Sequence, residues 1–597
     1  MDAKHHTILT RNLVDVAMGR SPADCVIRGG QWVSVQSGEI VENTDIAILG
    51  ERIAYVGADA SHTIGEQTIV IQAENRYLVP GFLDGHMHVE SGMVTVTEFV
   101  RAVLPHGTTG IFVDPHEIAN VLGLDGVRMM VDEAHNQPIH VWVQVPSSVP
   151  SAPGLETSGA AIGPEDVAEA LTWPGVIGLG EMMNFPGVYS SDESMHAEMA
   201  ETWHAGKVIG GHYASLDLGL PFHGYVAGGP EDDHEGTRLE DAVARVRQGM
   251  NVMMRDGSAW KDVDQQIRAV TELGLDPRHF ILVTDDSHSG TLVNEGHINR
   301  VVKHAIGLGT DPIVAIQMAT LNTAEHFGVA RDVGQIAPGR YADILLVREL
   351  ANLSIDTVFA KGKLAAQDGE LSIDLPAYDF PKSANNSIKL GRELSAGDFA
   401  IEAQSSSEVI VNVIGVVENQ AATRHLQIKM KPKDGEYKAD MARDIAKVAL
   451  VERHHATGEV RLGFVQGFGL TRPCALGSTV AHDAHHMLIV GTDDANMAHV
   501  AGELQRVGGG QTIVLNGETI AMVELPIAGL MSDKRAEVVA QKAENLLQGF
   551  RACGCKINSP NMQLSLLALV VIPSLRISDK GLVDVEKFEV ISLVDRS

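Results

Sequence analysis

Short apolar runs alternate with amphipathic segments through the middle of the chain. The runs predict β-strands at Val79–Leu83, Gly110–Val113, Ile139–Val145, Gly175–Leu179, Val208–Gly211, Tyr225–Ala227, Asn251–Met254 and Phe280–Thr284. Between most of them apolar residues recur at helical spacing, as in Val94–Leu104, Leu239–Gln248 and Val263–Leu273. Asp311-Pro312 predicts the start of another helix, with a cap residue followed by proline. Eight strands joined by crossover helices predict an α/β fold, a (β/α)8 TIM-like barrel at residues 81–334.

The barrel pattern interrupts a second pattern, in which short strands follow one another without helices. It occupies residues 24–80 and returns at 335–385, beginning with the segment Gly334–Val347. We therefore predict one small split β-sandwich domain into which the barrel is inserted.

A third pattern occupies residues 395–597, where strands and helices are mixed. We predict strands at Val409–Val417, Ala521–Glu524 and Leu564–Val571, and helices at Met441–Val451 and Asp533–Leu547. The segment Asp379–Leu394, which contains Pro, Ser and Asn, is typical of a linker. These features predict a separate C-terminal α+β domain.

Composition narrows the classes of function. The chain has 597 residues, too many for one hydrophobic core, and its 44% apolar and 21% charged residues are those of a globular protein. A formal net charge of −31 argues against nucleic acid or an anionic membrane as partner. The N-terminus lacks the apolar core of a signal peptide, and the 4 cysteines suggest no disulfide framework. We expect a cytoplasmic protein with no membrane span.

Metal-ligating residue types follow the predicted strands where each one ends. His86 and His88 come after the first strand and point to the same side of an extended backbone. The others are Glu181 after the fourth strand, His212 after the fifth, His234 after the sixth and Asp285 after the eighth. Active sites of such barrels lie at the carboxyl ends of the strands, so these six residues predict one metal site.

The donors are nitrogen and oxygen only, and they suffice for two ions if a carboxylate bridges them. We predict two divalent transition-metal ions, with Mn or Fe favoured and Zn also possible. Such a centre activates water as a nucleophile at neutral pH. Asp285 would stand beside that water, where it can accept a proton and pass it to a leaving group.

These motifs resemble the amidohydrolase superfamily, in which a His-x-His follows strand one and an Asp follows strand eight. The split β-domain that contains Pro-Gly-Arg-Tyr-Ala-Asp-Ile belongs to the same resemblance. Many binuclear members carry a carboxylated lysine after strand four, where this chain has Glu181. Gly-Glu-Met-Met-Asn-Phe-Pro-Gly-Val around Glu181, Asp-Pro-His-Glu-Ile-Ala-Asn from Asp114, and the long C-terminal domain are similar to the bacterial adenine deaminases.

The resemblance implies hydrolytic deamination of adenine to hypoxanthine and ammonia. The six donors would hold the metals, with Glu181 as the bridge and Asp285 also as proton acceptor. His116 would act near the metals, as a proton shuttle, and Asp286 and Glu235 would contact the purine nitrogens. We expect a small purine as the substrate, and a homo-oligomer, specifically a dimer.

Alternatives remain open from the sequence. A cyclic amidase or an N-acyl amino-sugar deacetylase could use the same scaffold, and a non-catalytic interaction protein could have kept the fold. The C-terminal cluster His482, His485 and His486 could form a second metal site, a lid or dimer contact near the barrel mouth, or plain hydrogen bonds.

Overall fold

A computed structural model describes residues 3–403 and 405–595. Residues 596 and 597, at the end of the predicted C-terminal domain, lie outside the described residues, as does residue 404 within it. The chain forms a parallel barrel, a β-domain built from sequence on both sides of it, and a C-terminal domain.

The barrel strands are Phe82–His88, Thr108–Val113, His140–Val145, Val176–Met182, Val208–Gly211, Asp232–Asp233, Asn251–Arg255 and Phe280–Val283, the last continued by Asp285–Asp286. Neighbouring strands pair in parallel from the first to the fifth and from the sixth to the eighth. The Glu231 amide donates to the Ile209 carbonyl (2.9 Å) between the fifth and sixth strands, and Asp285 pairs with Met87 of the first strand. The sheet therefore closes, and the predicted (β/α)8 barrel is confirmed.

The prediction of the sixth strand at Tyr225–Ala227 is wrong. These residues lie in the helix Leu220–Gly228, and the sixth strand is Asp232–Asp233. Pro221 occupies the first turn of that helix, where its fixed φ favours helical backbone. Three apolar residues in a row have no period that separates a strand from a helix, which is why the pattern misled.

Short helices surround the barrel strands. They are Val96–Val103, His116–Leu122, Leu124–Ala134, Pro164–Ala170, Phe185–Tyr189, Glu193–His204, Leu220–Gly228, Leu239–Arg247, Val263–Gln266, Arg268–Thr271, Ser289–Asn294, Ile298–Gly307, Pro312–Met318 and Leu321–His326. The Asp311 carboxylate caps its helix by accepting the Ile313 amide (2.9 Å), as the Asp-Pro pair predicts. The stretch Val263–Leu273 forms two short helices instead of one. Among the described residues, none of the helices combines the length and apolar character that a bilayer crossing requires.

The β-domain is one nine-stranded sheet assembled from both flanks of the barrel. Its strands are Cys25–Ser34, Glu39–Leu49, Arg52–Gly57, Ile69–Gln72, Tyr77–Pro80, Ile344–Val347, Ile355–Ala360, Lys363–Gln367 and Glu370–Leu371. The two flanks join where Tyr77–Pro80 pairs antiparallel with Ile344–Val347. The helix Ala3–Ala17, which we did not predict, packs Leu13 and Val16 against this sheet.

The C-terminal domain is built on an eight-stranded sheet. Its strands are Val409–Gly415, Arg424–Met430, Ile445–Val451, Val460–Gln466, Cys474–Ser478, Met487–Gly491, Gly510–Leu515 and Glu518–Glu524. The helices Asp494–Val507, Ala536–Ala552 and Pro560–Ser565 accompany it, with further strands at Ile401–Glu402, Glu436–Tyr437, Leu575–Ser578, Gly581–Asp584 and Glu589–Ile591.

Two element types predicted for this domain are wrong. Met441–Val451 was expected to be helical, but Ile445–Val451 is a fully buried strand of the sheet. Leu564–Val571 was expected to be a strand, but it contains the end of helix Pro560–Ser565 and a 3-10 turn at Leu566–Ala568. Strands buried on both faces lose the alternation that marks a strand, so tertiary packing decides such segments.

The C-terminal domain lies across the carboxyl ends of the barrel strands. The Thr157 amide donates to Asp579 (2.8 Å), the Ser578 hydroxyl to the Leu155 carbonyl (2.6 Å), and the Ser532 amide to the Met93 carbonyl (2.9 Å). The C-terminal domain therefore covers the mouth of the barrel.

Candidate metal centre and substrate cavity

Four side chains from three strand ends meet at the barrel mouth. His88 Nε2 lies 3.3 Å from Asp285 Oδ1 and 3.6 Å from Glu181 Oε1, and His86 Nε2 lies 3.8 Å from Asp285 Oδ1. All four side chains are buried. The first strand thus presents both of its imidazoles to the carboxylates of the fourth and eighth strands.

Glu181 contacts a second group of imidazoles with its other oxygen. Its Oε2 lies 2.5 Å from His212 Nδ1 and 3.0 Å from His234 Nε2. The two oxygens of one carboxylate therefore face two different sets of histidines. This is the arrangement that a bridging ligand between two metal ions requires.

The local sequence explains why Glu181 points inward. Its amide donates to Asp114 Oδ2 (2.8 Å), which lies after the second strand. Gly180 makes this approach possible, because a Cβ there would lie 2.2 Å from the same oxygen. On the other side of the centre, the His212 amide donates to the Tyr225 hydroxyl (2.7 Å). The helix Leu220–Gly228, which had been predicted as a strand, therefore helps to position His212.

The donor set fits divalent metal ions. His86 Nε2 is buried and has no hydrogen-bond partner among the described residues. Burying an unpaired polar atom destabilises the folded state unless a bound ion interacts with that atom. His88 donates from Nδ1 to the Asp114 carbonyl (2.8 Å), which leaves its Nε2 lone pair directed at the carboxylates. Nitrogen and oxygen donors without thiolate match Mn, Fe or Zn.

Electrostatics favour a cation at the same place. Burial opposes ionisation of Glu181, but the surrounding imidazoles, His212 foremost, hold its pKa well below the ordinary value. Burial also opposes ionisation of Asp285, yet His88 and Arg255 hold the pKa of this carboxyl below its ordinary value. Burial lowers the pKa of His234, but the neighbouring carboxylates raise it to about 9. The carboxylates are thus anionic, and the cluster attracts positive charge, which metal ions supply.

Arg255, at the end of the seventh strand, is a site residue that the sequence reasoning missed. It donates from Nη1 to Asp285 Oδ2 (3.1 Å) and from Nε to Asp262 (2.7 Å), and it also pairs with Glu235. Listing the residue after every strand, the seventh included, would have found it. Arg255 fixes the outer oxygen of Asp285 and leaves Oδ1 for the histidines.

The remaining predicted residues lie around the donors. His116 Nδ1 is 3.2 Å from Glu181 Oε1, so this imidazole touches the centre directly. Asp286 accepts a hydrogen bond from the Ser91 hydroxyl, and Glu235 is paired with Arg255. Asp286 and Glu235 both line the cavity above the donors.

That cavity has a volume of about 1040 Å³ and opens between the barrel and the C-terminal domain. The barrel side carries the charged groups and the candidate metal ligands. The opposite wall is mostly apolar and comes from the third domain, with Met562, Leu566, Leu569, Val571 and Ile572. Trp260, from the loop after the seventh strand, packs against this wall. A flat apolar ring held over polar groups is a suitable occupant of such a cavity.

The C-terminal histidine cluster divides into two parts. His482 and His485 both contact Glu117, which follows His116 in the first turn of the helix after the second strand. His486 donates from Nε2 to the Thr157 carbonyl (2.8 Å), across the interface between the two domains. All three histidines therefore contact the barrel, and His482 also lines the cavity.

Residues 77–365 match the family model described as amidohydrolase family, and residues 420–589 match the adenine deaminase C-terminal domain. Adenine deaminase 3 of Rhizobium meliloti (strain 1021) is 62% identical over 584 residues, covering 98% of each chain. The adenine deaminase of Mesorhizobium japonicum is 62% identical over 99% of this chain and 98% of its own. The adenine deaminase of Moorella thermoacetica is 50% identical over 98% of both. The chain belongs to the amidohydrolase family and, within it, to the adenine deaminases.

Proposed function

We propose that this chain catalyses the hydrolytic deamination of adenine to hypoxanthine and ammonia at a centre of two divalent metal ions. The observation that carries the proposal is the position of Glu181, whose two oxygens face separate groups of histidines. The names of the relatives indicate the substrate, since each is called an adenine deaminase and matches nearly the whole of this chain. A cavity with an apolar wall opposite charged groups suits a purine base.

The metals would be held by the six predicted donors, His86, His88, Glu181, His212, His234 and Asp285. When bound, such ions supply Lewis acidity and lower the pKa of water, so that a nucleophile forms at neutral pH. The nitrogen and oxygen donors suit Mn, Fe or Zn, and of these we favour Mn or Fe.

The reaction requires proton transfer by the chain's own residues. The oxygen of water bonds to the ring carbon that bears the amino group, and one proton of the water goes to the adjacent ring nitrogen. The other proton goes to the amino nitrogen, so the C–N bond breaks with both of its electrons on nitrogen, ammonia leaves and the ring keeps a carbonyl group. Asp285 would accept a proton at Oδ1, because Arg255 occupies Oδ2 (3.1 Å). His116, 3.2 Å from Glu181 Oε1, would carry a proton between the centre and the departing amine.

Asp286 and Glu235 would accept hydrogen bonds from N–H groups of the purine. Both line the cavity, and both are held by a barrel partner, Ser91 and Arg255 respectively. A carboxylate with one side fixed presents its free lone pairs in a defined direction, which gives selectivity among bases.

A substrate comparison tests the proposal. The purified chain, loaded with Mn, Fe or Zn in separate samples, is assayed for ammonia released from adenine, adenosine, guanine and cytosine. Ring opening of a hydantoin and deacetylation of an N-acyl amino sugar are measured in parallel. We expect adenine to exceed every other substrate by orders of magnitude. Turnover of the hydantoin or the amino sugar without turnover of adenine would replace this function by one of the alternatives.

A homodimer and a cytoplasmic location stay predictions. Sedimentation equilibrium of the metal-loaded protein measures the first, and cell fractionation the second.

A further inference from the structure

Glu117 is surrounded by imidazoles from two domains. Its Oε1 lies 2.8 Å from His482 Nδ1 and 3.4 Å from His116 Nε2, and its Oε2 contacts His485 Nε2. Glu117 is 3% exposed and follows the second barrel strand, whereas His482 and His485 belong to the C-terminal domain. The carboxylate therefore connects the roof of the cavity with His116, which touches the metal ligand Glu181.

Hydrogen bonding argues against a third metal ion at this cluster. The Ala481 amide donates to His485 Nδ1 (3.2 Å), so that nitrogen carries no proton. The proton of neutral His485 then lies on Nε2, the atom that contacts Glu117, and a protonated nitrogen has no lone pair for a metal. His485 is a hydrogen-bond donor that fixes one oxygen of Glu117.

His482 also contacts Glu117, but unlike His485 it lines the substrate cavity. An ionised carboxylate offers only lone pairs, so His482 Nδ1, at 2.8 Å, carries a hydrogen toward Glu117. With Nδ1 engaged, Nε2 is the ring nitrogen available to a ligand, and His482 lines the substrate cavity together with Asp483. Asp483 accepts a hydrogen bond from the Ser151 hydroxyl, which fastens this turn to the barrel.

The charges around His482 favour a proton on its free nitrogen as well. Burial lowers the pKa of this imidazole, but Glu117, Asp483 and Asp286 outweigh it and raise the pKa to about 9. An N–H donor in the wall of a cavity requires an acceptor when that cavity is filled and water is displaced. Ring nitrogens of a purine are such acceptors.

We propose that His482 is a substrate-binding residue contributed by the C-terminal domain, whose Nε2–H donates a hydrogen bond to ring nitrogen N3 or N7 of the purine. Glu117 and His485 are its positioning residues. The inference rests on the proposed function, because it takes adenine as the substrate. It assigns the C-terminal domain a direct part in the site, in addition to covering the barrel.

The first experiment compares His482→Ala and His482→Gln in the metal-loaded full chain, with His499→Ala as the control. His499 lies on the helix Asp494–Val507, away from the residues that line the cavity. Removing one hydrogen bond from a charged donor costs about 10- to 100-fold in affinity. We expect His482→Ala to raise KM for adenine by that factor, with kcat changed less than KM. His482→Gln, which keeps an N–H donor, should recover part of the loss.

A second experiment separates binding from a structural role. In 3-deazaadenine and 7-deazaadenine a C–H group replaces one ring nitrogen, and their inhibition constants can be measured against each variant. In the wild type, one analogue should bind about 10- to 100-fold more weakly than adenine. In His482→Ala the same analogue should lose little more than adenine does, because the donor is already gone. Glu117→Gln should reduce this discrimination partly.

The outcomes are distinct. The inference is overturned if both analogues are discriminated equally by wild type and His482→Ala, or if the variant keeps the wild-type KM. A variant that loses metal content or melting temperature together with kcat, and retains its discrimination between analogues, shows that His482 is only a contact between domains and also overturns it. Failure of the wild type to release ammonia from adenine would instead refute the proposed function.

Discussion

The two sides of the cavity were built by different structural rules. On the barrel side, every proposed metal ligand lies at the end of a parallel strand, so alignment of the strands alone brings distant residues together. On the C-terminal side, the lining residues come from separate segments: the turn with His482 and Asp483, the stretch from Met562 to Pro573, and the region of Val585 to Phe588. They reach the cavity because one domain packs on another. Convergence on the barrel side can be inferred from sequence, and convergence on the other side cannot.

The chemistry of the two sides differs as well. The barrel side concentrates buried charge, which is tolerated only where charges pair with one another or with ions. The C-terminal side is apolar except for a few groups such as His482 and Asp483. One side can activate water and move protons, while the other shapes the space and excludes solvent.

Metal removal should have the largest effect and should act on the barrel side alone. We expect dialysis against a chelator to abolish ammonia release, and Mn, Fe or Zn to restore it. The folded core should persist, because it is formed by the apolar strands and does not include the ligands. Activity and circular dichroism, measured on the same samples, check both parts. Full activity in a metal-free protein would contradict the two-metal proposal.

Substitution of the two carboxylates is the next largest expected effect. Glu181→Gln removes the charge of the proposed bridging ligand and Asp285→Asn that of the proposed proton acceptor, and each should lower kcat by about 10³-fold or more. Glu201→Gln, on the exposed face of helix Glu193–His204, is the control. Steady-state kinetics with metal analysis of each variant provide the measurement. Near-normal turnover in either carboxylate variant would remove that residue from the mechanism.

Arg255→Lys tests a residue that supports the barrel side without binding metal. The guanidinium contacts Asp285, Glu235 and Asp262 at once, and an ammonium group cannot reproduce this planar fork. We expect kcat/KM to fall about 10- to 100-fold, the usual cost of losing a residue that orients a ligand. If the lysine variant matches the wild type, then charge alone suffices at this position.

The smallest expected effect concerns the interface between the two sides. Burial lowers the pKa of His486 to about 4, against about 6.5 in an unfolded chain. Between these values the unfolded state binds a proton that the folded state does not, so stability is lost as the pH falls from 6.5 to 4. The loss is up to about 3 kcal/mol from this residue.

His486→Asn should reduce this acid sensitivity, because the substituted side chain does not titrate. Urea unfolding at pH 7 and pH 5 measures it, and the stability difference between the two values should be smaller in the variant. Buried His454, whose pKa burial also lowers, will retain part of the effect. Equal losses in wild type and variant would show that acid acts elsewhere.

Particular residues show which features could be predicted from the sequence and which could not. His86 and His88 were found because two residues on one face of a strand end point the same way. The sixth strand was placed at Tyr225–Ala227 because the true strand is only Asp232–Asp233, too short to leave an apolar run. Ile445–Val451 was taken for a helix because a strand buried on both faces shows no alternation.

By itself the sequence determined the alternation of strands and helices and, through it, the barrel with its donors at the strand ends. This is a local property, since each apolar run and the polar residue after it can be recognised without knowing which residues they contact in the folded protein. Only the tertiary structure decided which oxygen of Glu181 faces which histidine, where Arg255 reaches, and that His482 enters a cavity beside Glu117. The contact between His482 and Glu117 joins two domains and residues that lie far apart in the chain. Side-chain packing of this kind leaves no periodic signal in the sequence.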